Sequence, residues 1–421
     1  MDAFRYQEHE LLCEDVPLSE LAEEFGTPLY VYSRNQLLAN FRALDAPLSG
    51  TDHLVCYALK ANANASLLKI LAQEGAGADV VSSGELYFAL KAGFPPEHIT
   101  FAGVGKRDDE IEYALKNEIY SINTESAQEL QVVSLIALRL GVKARVTIRV
   151  NPDIDAQSHP YITTGLKQNK FGVPAEEALG LFQYAAKLPN VEVIGVHAHI
   201  GSQITKIEPF VESARFLAAM VKTLRESGLA ISHIDFGGGF GVQYLNAVSC
   251  EGLPQEMDGT AVPPLNQFIE AVLPVLMETG CTFWFEPGRS IVANAGILLT
   301  KVLYTKENGL KRFVVVDAGM NDLIRPSLYS AYHQIVPLKL QTYEHERVDV
   351  VGPICETGDF LARDRLINKA KRDDFLAVMT AGAYGFSLSS NYNARLRPAE
   401  ILVNGEKVRV IRDRQAIDQL L

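Results

Sequence analysis

No apolar run in the sequence approaches the ~20 residues that a membrane-spanning helix needs. Basic residues are not in excess either. Against 51 aspartates and glutamates there are 39 lysines and arginines, and the net charge of −12 is ill suited to a phosphate backbone. The opening Met1-Asp-Ala-Phe-Arg-Tyr-Gln-Glu-His-Glu10 lacks the basic n-region and apolar h-region of a secretion signal. Cysteine is scarce: Cys13, Cys56, Cys250, Cys281 and Cys355 are odd in number and widely scattered, which suits reduced thiols. No low-complexity tract interrupts the chain. These absences predict an acidic cytoplasmic protein with no nucleic-acid or membrane partner.

What is present is a long, apolar-rich chain. Its 421 residues, 48% of them hydrophobic, exceed one ordinary domain and predict two. Apolar strands are readable near 54–59, 78–82, 99–103, 119–123, 145–150, 193–199, 232–236 and 282–286. Stretches of helical periodicity separate them, such as Ser66–Glu74 and Glu125–Val133. Eight strands alternating with helices predict a parallel (β/α)8 barrel over 34–284. After Gly288, runs such as Phe313–Asp317 and Phe375–Met379 alternate with glycine and proline turns, which predicts a mainly β domain over 285–421. The strand-like Thr27–Tyr32 is assigned to that domain with the rest of 1–33, because nothing in the barrel pattern needs it.

Lys60 ends the first of these strands, in Tyr57-Ala-Leu-Lys-Ala-Asn62. At the lip of a buried core, desolvation lowers an amine's pKa and makes it nucleophilic, as a Schiff-base lysine requires. A strand-terminal lysine can also simply send its charge to solvent. The hexapeptide alone favours that ordinary reading; the rest of the chain reverses the balance.

Barrel chemistry sits on the loops after the strands, and phosphate sites favour those after the seventh and eighth. The seventh strand runs into Asp235-Phe-Gly237-Gly238-Gly239-Phe-Gly241, where successive glycines allow backbone N–H groups to close on a phosphate. The eighth runs into Glu286-Pro287-Gly288-Arg289. The sixth carries His197-Ala-His199-Ile-Gly-Ser202-Gln, whose two histidines share one face. A metal is disfavoured there, since the other seven histidines (His9, His53, His98, His159, His233, His333, His345) supply no third-ligand motif. A histidine lying flat on an aromatic cofactor, with Ser202 offered to a phosphate, fits better. Further on come Asn321-Asp-Leu-Ile-Arg325-Pro-Ser-Leu-Tyr329, Cys355-Glu356-Thr357-Gly-Asp359 and Gly382-Ala-Tyr384. Each is compatible with a polar surface loop, although a Cys-Glu pair in such a turn is unusual for an inert thiol.

In order, YALKAN, HAHIGSQ, DFGGGFG, EPGR, NDLIRPSLY, CETGD and GAY resemble the pyridoxal-phosphate-dependent diaminopimelate decarboxylases, of the alanine-racemase-like fold type. The likeness spans roughly 28–403 and includes Lys170-Phe-Gly172 and Ser390-Asn-Tyr-Asn393. Two motifs depart from it. CETGD has threonine where serine is usual, and Asn393-Ala-Arg-Leu-Arg-Pro398 replaces NSRPRP; both bear on fine substrate contacts.

The resemblance implies pyridoxal 5'-phosphate bound covalently to Lys60, with His199 stacked on its ring. It implies Ser202, Gly237, Gly238, Gly239 and Tyr384 at the phosphate, helped by the turn Glu286, Pro287, Gly288, Arg289. Glu286 would face the pyridine nitrogen and keep it protonated, where racemases of the same fold use an arginine. Arg289, Arg325 and Tyr329 would bind the substrate's distal carboxylate and Glu356 its distal amine, with Tyr384 also lining the substrate. Two guanidinium forks suit a carboxylate and would repel a substrate ending in an amine alone. Cys355 would act as general acid. The implied reaction takes meso-2,6-diaminopimelate to L-lysine and CO2 in a homodimer with shared active sites. A related decarboxylase of another diamino or polyamine acid is the alternative.

Overall fold

The computed structural model describes residues 3–154, 170–256, 261–309 and 311–421; His159 lies outside them. Eight parallel strands form a closed barrel: β1 (His53–Ala58), β2 (Gly77–Val80), β3 (Ile99–Phe101), β4 (Ser121–Thr124), β5 (Ala144–Asn151), β6 (Val191–His197), β7 (His233–Asp235) and β8 (Thr282–Phe285). β8 pairs with β1 and β4 with β5, which closes the ring. Strands covered by helices outside and side chains inside are apolar throughout their length, and that is why they stood out in the sequence. The helices follow their own period. Ala65–Gln73 starts at Asn64, whose side chain accepts the Ser66 N–H at 2.9 Å, and buries Leu67, Leu68 and Leu71.

A few strand positions break the apolar pattern. Asp79 of β2, Thr100 of β3, Asn123 of β4, Thr147 of β5, His197 of β6 and Asp235 of β7 are all buried. Asn123 Nδ2 donates to Asp235 Oδ2 at 2.8 Å, and a bond from β4 to β7 crosses the barrel interior. The interior therefore has a polar patch at the end of the strands that carries the candidate residues.

The chain divides into two compact units: Asn40–Gly241 with Val262–Ser290, and Met1–Ala39 with Val242–Ala261 and Ile291–Leu421. The second is built on the strand Gly296–Asn308, antiparallel to Lys311–Val316, Phe375–Val378 and Leu29–Ser33. Leu29–Ser33 also pairs in parallel with Ala399–Asn404, so the early strand sits inside the β unit. Val31, Ile297, Leu299, Ala377, Ile401 and Val403 share its core. The segment Val242–Ala261, which the sequence reading placed in the barrel, groups with this unit. Val248 and Leu253 are buried in its core, and Val248 exchanges two hydrogen bonds with the Gln334 side chain (2.9 and 3.0 Å).

Candidate active site

The candidate residues fall into two sets, one in each unit. In the barrel unit every one of them follows a strand. Lys60 lies in a single 3-10 turn, Leu59–Ala61, directly after β1. Leu59 and Ala61 are buried and fix the turn, Tyr57 Oη donates to the Asn62 carbonyl at 3.0 Å, and Asn62 Oδ1 accepts the Asn64 N–H at 3.0 Å. Lys60 Nζ donates to Asp79 Oδ2 at 2.8 Å; Asp79 is fully buried while the lysine side chain is 39% exposed. The amine is thus held on an interior carboxylate while the side chain keeps contact with solvent.

His199 follows β6, and its Nδ1 accepts the Gly238 N–H at 3.1 Å, so the ring proton belongs on Nε2. Enclosure by protein, with Arg149 and Lys60 nearby, pushes its pKa well below the usual value and leaves it neutral. Gly237, Gly238 and Gly239 follow β7. A Cβ on them would lie 2.5, 2.1 and 2.3 Å from the carbonyl oxygens of Ala198, Glu286 and Gly201. Only glycine fits. The Gly237 N–H is given to Asp235 Oδ1 and the Gly238 N–H to His199 Nδ1. After β8, Arg289 Nη2 donates to Ser202 Oγ at 3.0 Å, joining two residues that the sequence separates by 87 positions. Pro287 O accepts the Ala58 N–H at 3.0 Å, and a Cβ on Gly288 would meet Ala58 and Ala61 at 3.1 Å. The turn after β8 is thereby packed onto the turn that holds Lys60.

Glu286 lies in the interior patch. Its Oε2 is 3.3 Å from His197 Nε2 and its Oε1 3.3 Å from Asn123 Nδ2. Burial alone would raise its pKa, but His197 and Lys60 outweigh burial and hold Glu286 below the usual carboxylate range. Burial and the Glu286 charge push Asp235 the other way. An amine, a neutral imidazole, an ionised carboxylate, and a hydroxyl-guanidinium pair beside a loop that accepts no side chain form a donor set that fits pyridoxal phosphate.

The second set lies on loops of the β unit. Arg325, nearly fully buried, donates from Nη1 to His333 Nε2 at 2.8 Å and stacks over Tyr244 at 4.8 Å. His333 Nδ1 in turn gives its proton to the Met379 carbonyl at 2.8 Å, which leaves Nε2 as an acceptor. Asp359 ties two motifs together, accepting the Met320 N–H at 2.6 Å and the Ile354 N–H at 2.7 Å, and Ser327 Oγ bonds the Gly358 carbonyl at 2.5 Å. Asn393 Oδ1 accepts the Cys355 N–H at 2.8 Å, and Tyr392 Oη reaches Glu356 Oε2 at 3.5 Å. Cys355 and Glu356 are exposed, while Tyr329 and Tyr384 are half-buried. Tyr384 adopts a left-handed backbone, φ 57°, a conformation that non-glycine residues keep only where the surroundings enforce it.

Sequence reasoning assigned no role to Asp79, Asn123, His197 or Asp235. Their signal was a polar residue inside or closing an apolar strand. A cavity of about 580 Å3 in the β unit holds none of the candidate residues; its Lys339, Lys369 and Arg312 are paired with Glu10, Glu344 and Glu346.

Residues 34–293 match the family model described as "Pyridoxal-dependent decarboxylase, pyridoxal binding domain". The chain is 49% identical to the diaminopimelate decarboxylase of Aquifex aeolicus, over 99% of this chain and 96% of that one. It is also 49% identical to that of Pseudomonas aeruginosa, over 100% and 98%. The crystal structure of diaminopimelate decarboxylase from Helicobacter pylori, complexed with L-lysine, superimposes with a TM-score of 0.89 at 44% identity, covering 96% of this chain and 98% of that one. Among the described residues no helix is long and apolar enough to cross a membrane. With a barrel whose strand ends carry this donor set, and with likeness of this extent along the whole chain, the protein belongs to the pyridoxal-phosphate-dependent diaminopimelate decarboxylase family.

Proposed function

We propose that this chain removes one carboxyl group of meso-2,6-diaminopimelate, giving L-lysine and CO2 as the last step of lysine biosynthesis. The observation that carries the reading is Glu286, a buried carboxylate kept ionised in the same half-site as Lys60. Bound pyridoxal phosphate supplies an electron sink for the pair released when CO2 leaves, and a protonated ring nitrogen deepens that sink. Glu286 provides the negative charge that keeps the nitrogen protonated. Lys60 provides the amine for covalent attachment, with Asp79 at 2.8 Å to take up and return a proton at Nζ. His199 is neutral, so its ring can lie on an aromatic face without adding a positive charge. Ser202, Arg289 and the Gly237–Gly239 loop hold the phosphate, with Tyr384 completing that end.

Arg289, joined to Ser202, serves the phosphate end and, with Arg325 and Tyr329, the distal carboxylate of the substrate. His333 and Tyr244 hold the Arg325 fork in place. Glu356 takes the distal ammonium. Cys355 delivers a proton from Sγ to the carbon that has lost CO2, and the thiolate recovers its proton from solvent. Cys355 and Glu356 are exposed on their own chain, which supports a homodimer in which this loop serves the partner's Lys60.

Incubating purified protein and pyridoxal phosphate with meso-diaminopimelate, ornithine or lysine, and measuring CO2, tests the reading. Release from diaminopimelate alone is expected. Faster release from ornithine or lysine would overturn it in favour of a decarboxylase of simpler diamino acids.

A further inference from the structure

The barrel interior holds more polar groups than the proposed reaction uses. Lys60 and Glu286 have roles; His197, Asn123 and Asp235 do not, yet all three are buried: Asn123 donates to both Asp235 and Glu286, and His197 Nε2 lies 3.3 Å from Glu286 Oε2. The orientation of Asn123 is fixed. Its Oδ1 is occupied by the hydroxyls of Thr147 and Thr100, the latter at 3.1 Å, so its Nδ2 must face Asp235 Oδ2 at 2.8 Å and Glu286 Oε1 at 3.3 Å. Asp235 Oδ1 accepts the Gly237 N–H at 3.1 Å, and the Asp235 and Glu286 carboxyls, bridged by the Asn123 amide, offer oxygens within 4.8 Å of each other. Two carboxyls this close without access to water hold one proton between them, because the doubly charged pair is too costly.

We infer that Asp235 carries that proton and donates it in a hydrogen bond to Glu286, so that Asp235, His197 and Asn123 are the positioning residues that keep Glu286 an anion for the ring nitrogen. The inference rests on the proposed cofactor chemistry. Lys60 contributes to the same balance from β1, with Asp79 as its partner on β2. The positive charge of Lys60 and the proximity of His197 lie on the Glu286 side, which decides where the proton sits: Asp235 is pushed up and Glu286 down. A protonated carboxyl used as a fixed donor is equivalent to an amide at the same position. Asparagine at 235 should therefore replace it, whereas leucine should not.

The test uses holoenzyme loaded with pyridoxal phosphate 15N-labelled at the ring nitrogen, whose NMR shift reports protonation independently of turnover. The protonated signal is expected in wild type and in Asp235→Asn. It is expected to move toward the deprotonated position in Asp235→Leu and in His197→Phe, with kcat lowered about tenfold or more while the borohydride-reducible link to Lys60 remains. A deprotonated signal in Asp235→Asn would overturn the inference, because Asp235 would then be acting as an anion. An unchanged signal in both His197→Phe and Asp235→Leu would overturn it as well. Should Asp235→Leu fail to fold, His197→Phe and Asp235→Asn decide alone. His197, Asp235 and Glu286 offer ligand atoms within 4.8 Å of one another, so a stoichiometric divalent ion held by wild type and lost from His197→Phe would equally refute it. Wild type that forms no reducible link would instead bring down the function proposed above.

Discussion

The buried polar cluster of the barrel and the Cys355–Glu356 loop of the β unit hold their side chains in opposite ways. In the barrel, Asp79, Asn123, His197, Asp235 and Glu286 are buried, and each depends on partners from other strands. In the β unit, Cys355 and Glu356 stand exposed on a loop fixed by backbone bonds to Asp359 and Asn393. The barrel set can sustain unusual protonation states because water is excluded; the loop set is available to meet something that arrives from outside. Interior electrostatics and exposed recognition have been built on separate pieces of chain. The comparison predicts that barrel changes alter cofactor chemistry, while β-unit changes alter substrate handling and can be complemented between chains.

The strongest break is Lys60→Ala. Loss of the covalent amine should lower kcat roughly 10^4-fold or more and abolish the borohydride-reducible link, even if pyridoxal phosphate still binds. A link of unchanged stoichiometry in the variant would remove Lys60 from the assignment. Cys355→Ala should also be nearly inactive while keeping the link. If the loop serves the partner's site, a mixed dimer of the two variants has one site with both lesions and one with neither. Random pairing of equal amounts makes half the dimers mixed, so about a quarter of wild-type activity should return. Doubly tagged mixed dimers no more active than their parents would rule out the shared site.

A smaller effect separates recognition from chemistry. Arg325→Ala should raise KM for diaminopimelate by an amount equivalent to ~2–5 kcal/mol, the cost of truncating one side of a desolvated ion pair. The link to Lys60 should be untouched. His333→Leu should produce the same change more weakly, since Arg325 keeps its Tyr244 face but loses the acceptor that aims its Nη1. Equal kinetics in wild type and both variants would show that Arg325 does not bind the substrate.

The barrel strands were legible because strands buried on both faces must be apolar along their length. The glycine loop was legible because carbonyls at 2.1–2.5 Å from any added Cβ admit nothing else. Other features were hidden for physical reasons. Asn123 and Asp235 are single polar residues 112 positions apart, and only closure of the ring makes them partners. The attachment of Val242–Ala261 to the β unit depends on two core residues, Val248 and Leu253, and on Gln334, 86 positions beyond Val248. No period in that segment announces the partner. Asn393, in a motif that departs from the family pattern, holds the Cys355 N–H through a left-handed turn (φ 54°), a contact that spacing alone does not reveal.

The two units also contrast in how pH acts on their stability. In the β unit, burial pushes the Asp322 carboxyl from 3.8 up to about 7, against the bond it accepts from the Gly319 N–H. The folded chain keeps a proton that the unfolded chain surrenders near pH 4, so stability falls as pH rises from about 4 to 7 and levels off above that. In the barrel, burial and the Arg145 charge push His233 from 6.5 down to about 3. Here the unfolded chain gains a proton that the folded chain refuses, and stability falls as pH drops from 6.5 toward 3. Asp322→Asn, which cannot ionise, should flatten the neutral-side slope of Tm against pH, and His233→Phe the acid-side slope. Each change should be worth about 4 kcal/mol across its full window, at ~1.4 kcal/mol per pH unit. Residual neutral-side slope is expected in Asp322→Asn, because the barrel's Glu85, pushed up to about 7 by burial, titrates over the same range. Calorimetry of wild type and both variants from pH 4 to 8 checks the signs. An acid-side slope unchanged in His233→Phe, or a neutral-side slope unchanged in Asp322→Asn, would mean that the corresponding group already has its solution pKa in the folded protein.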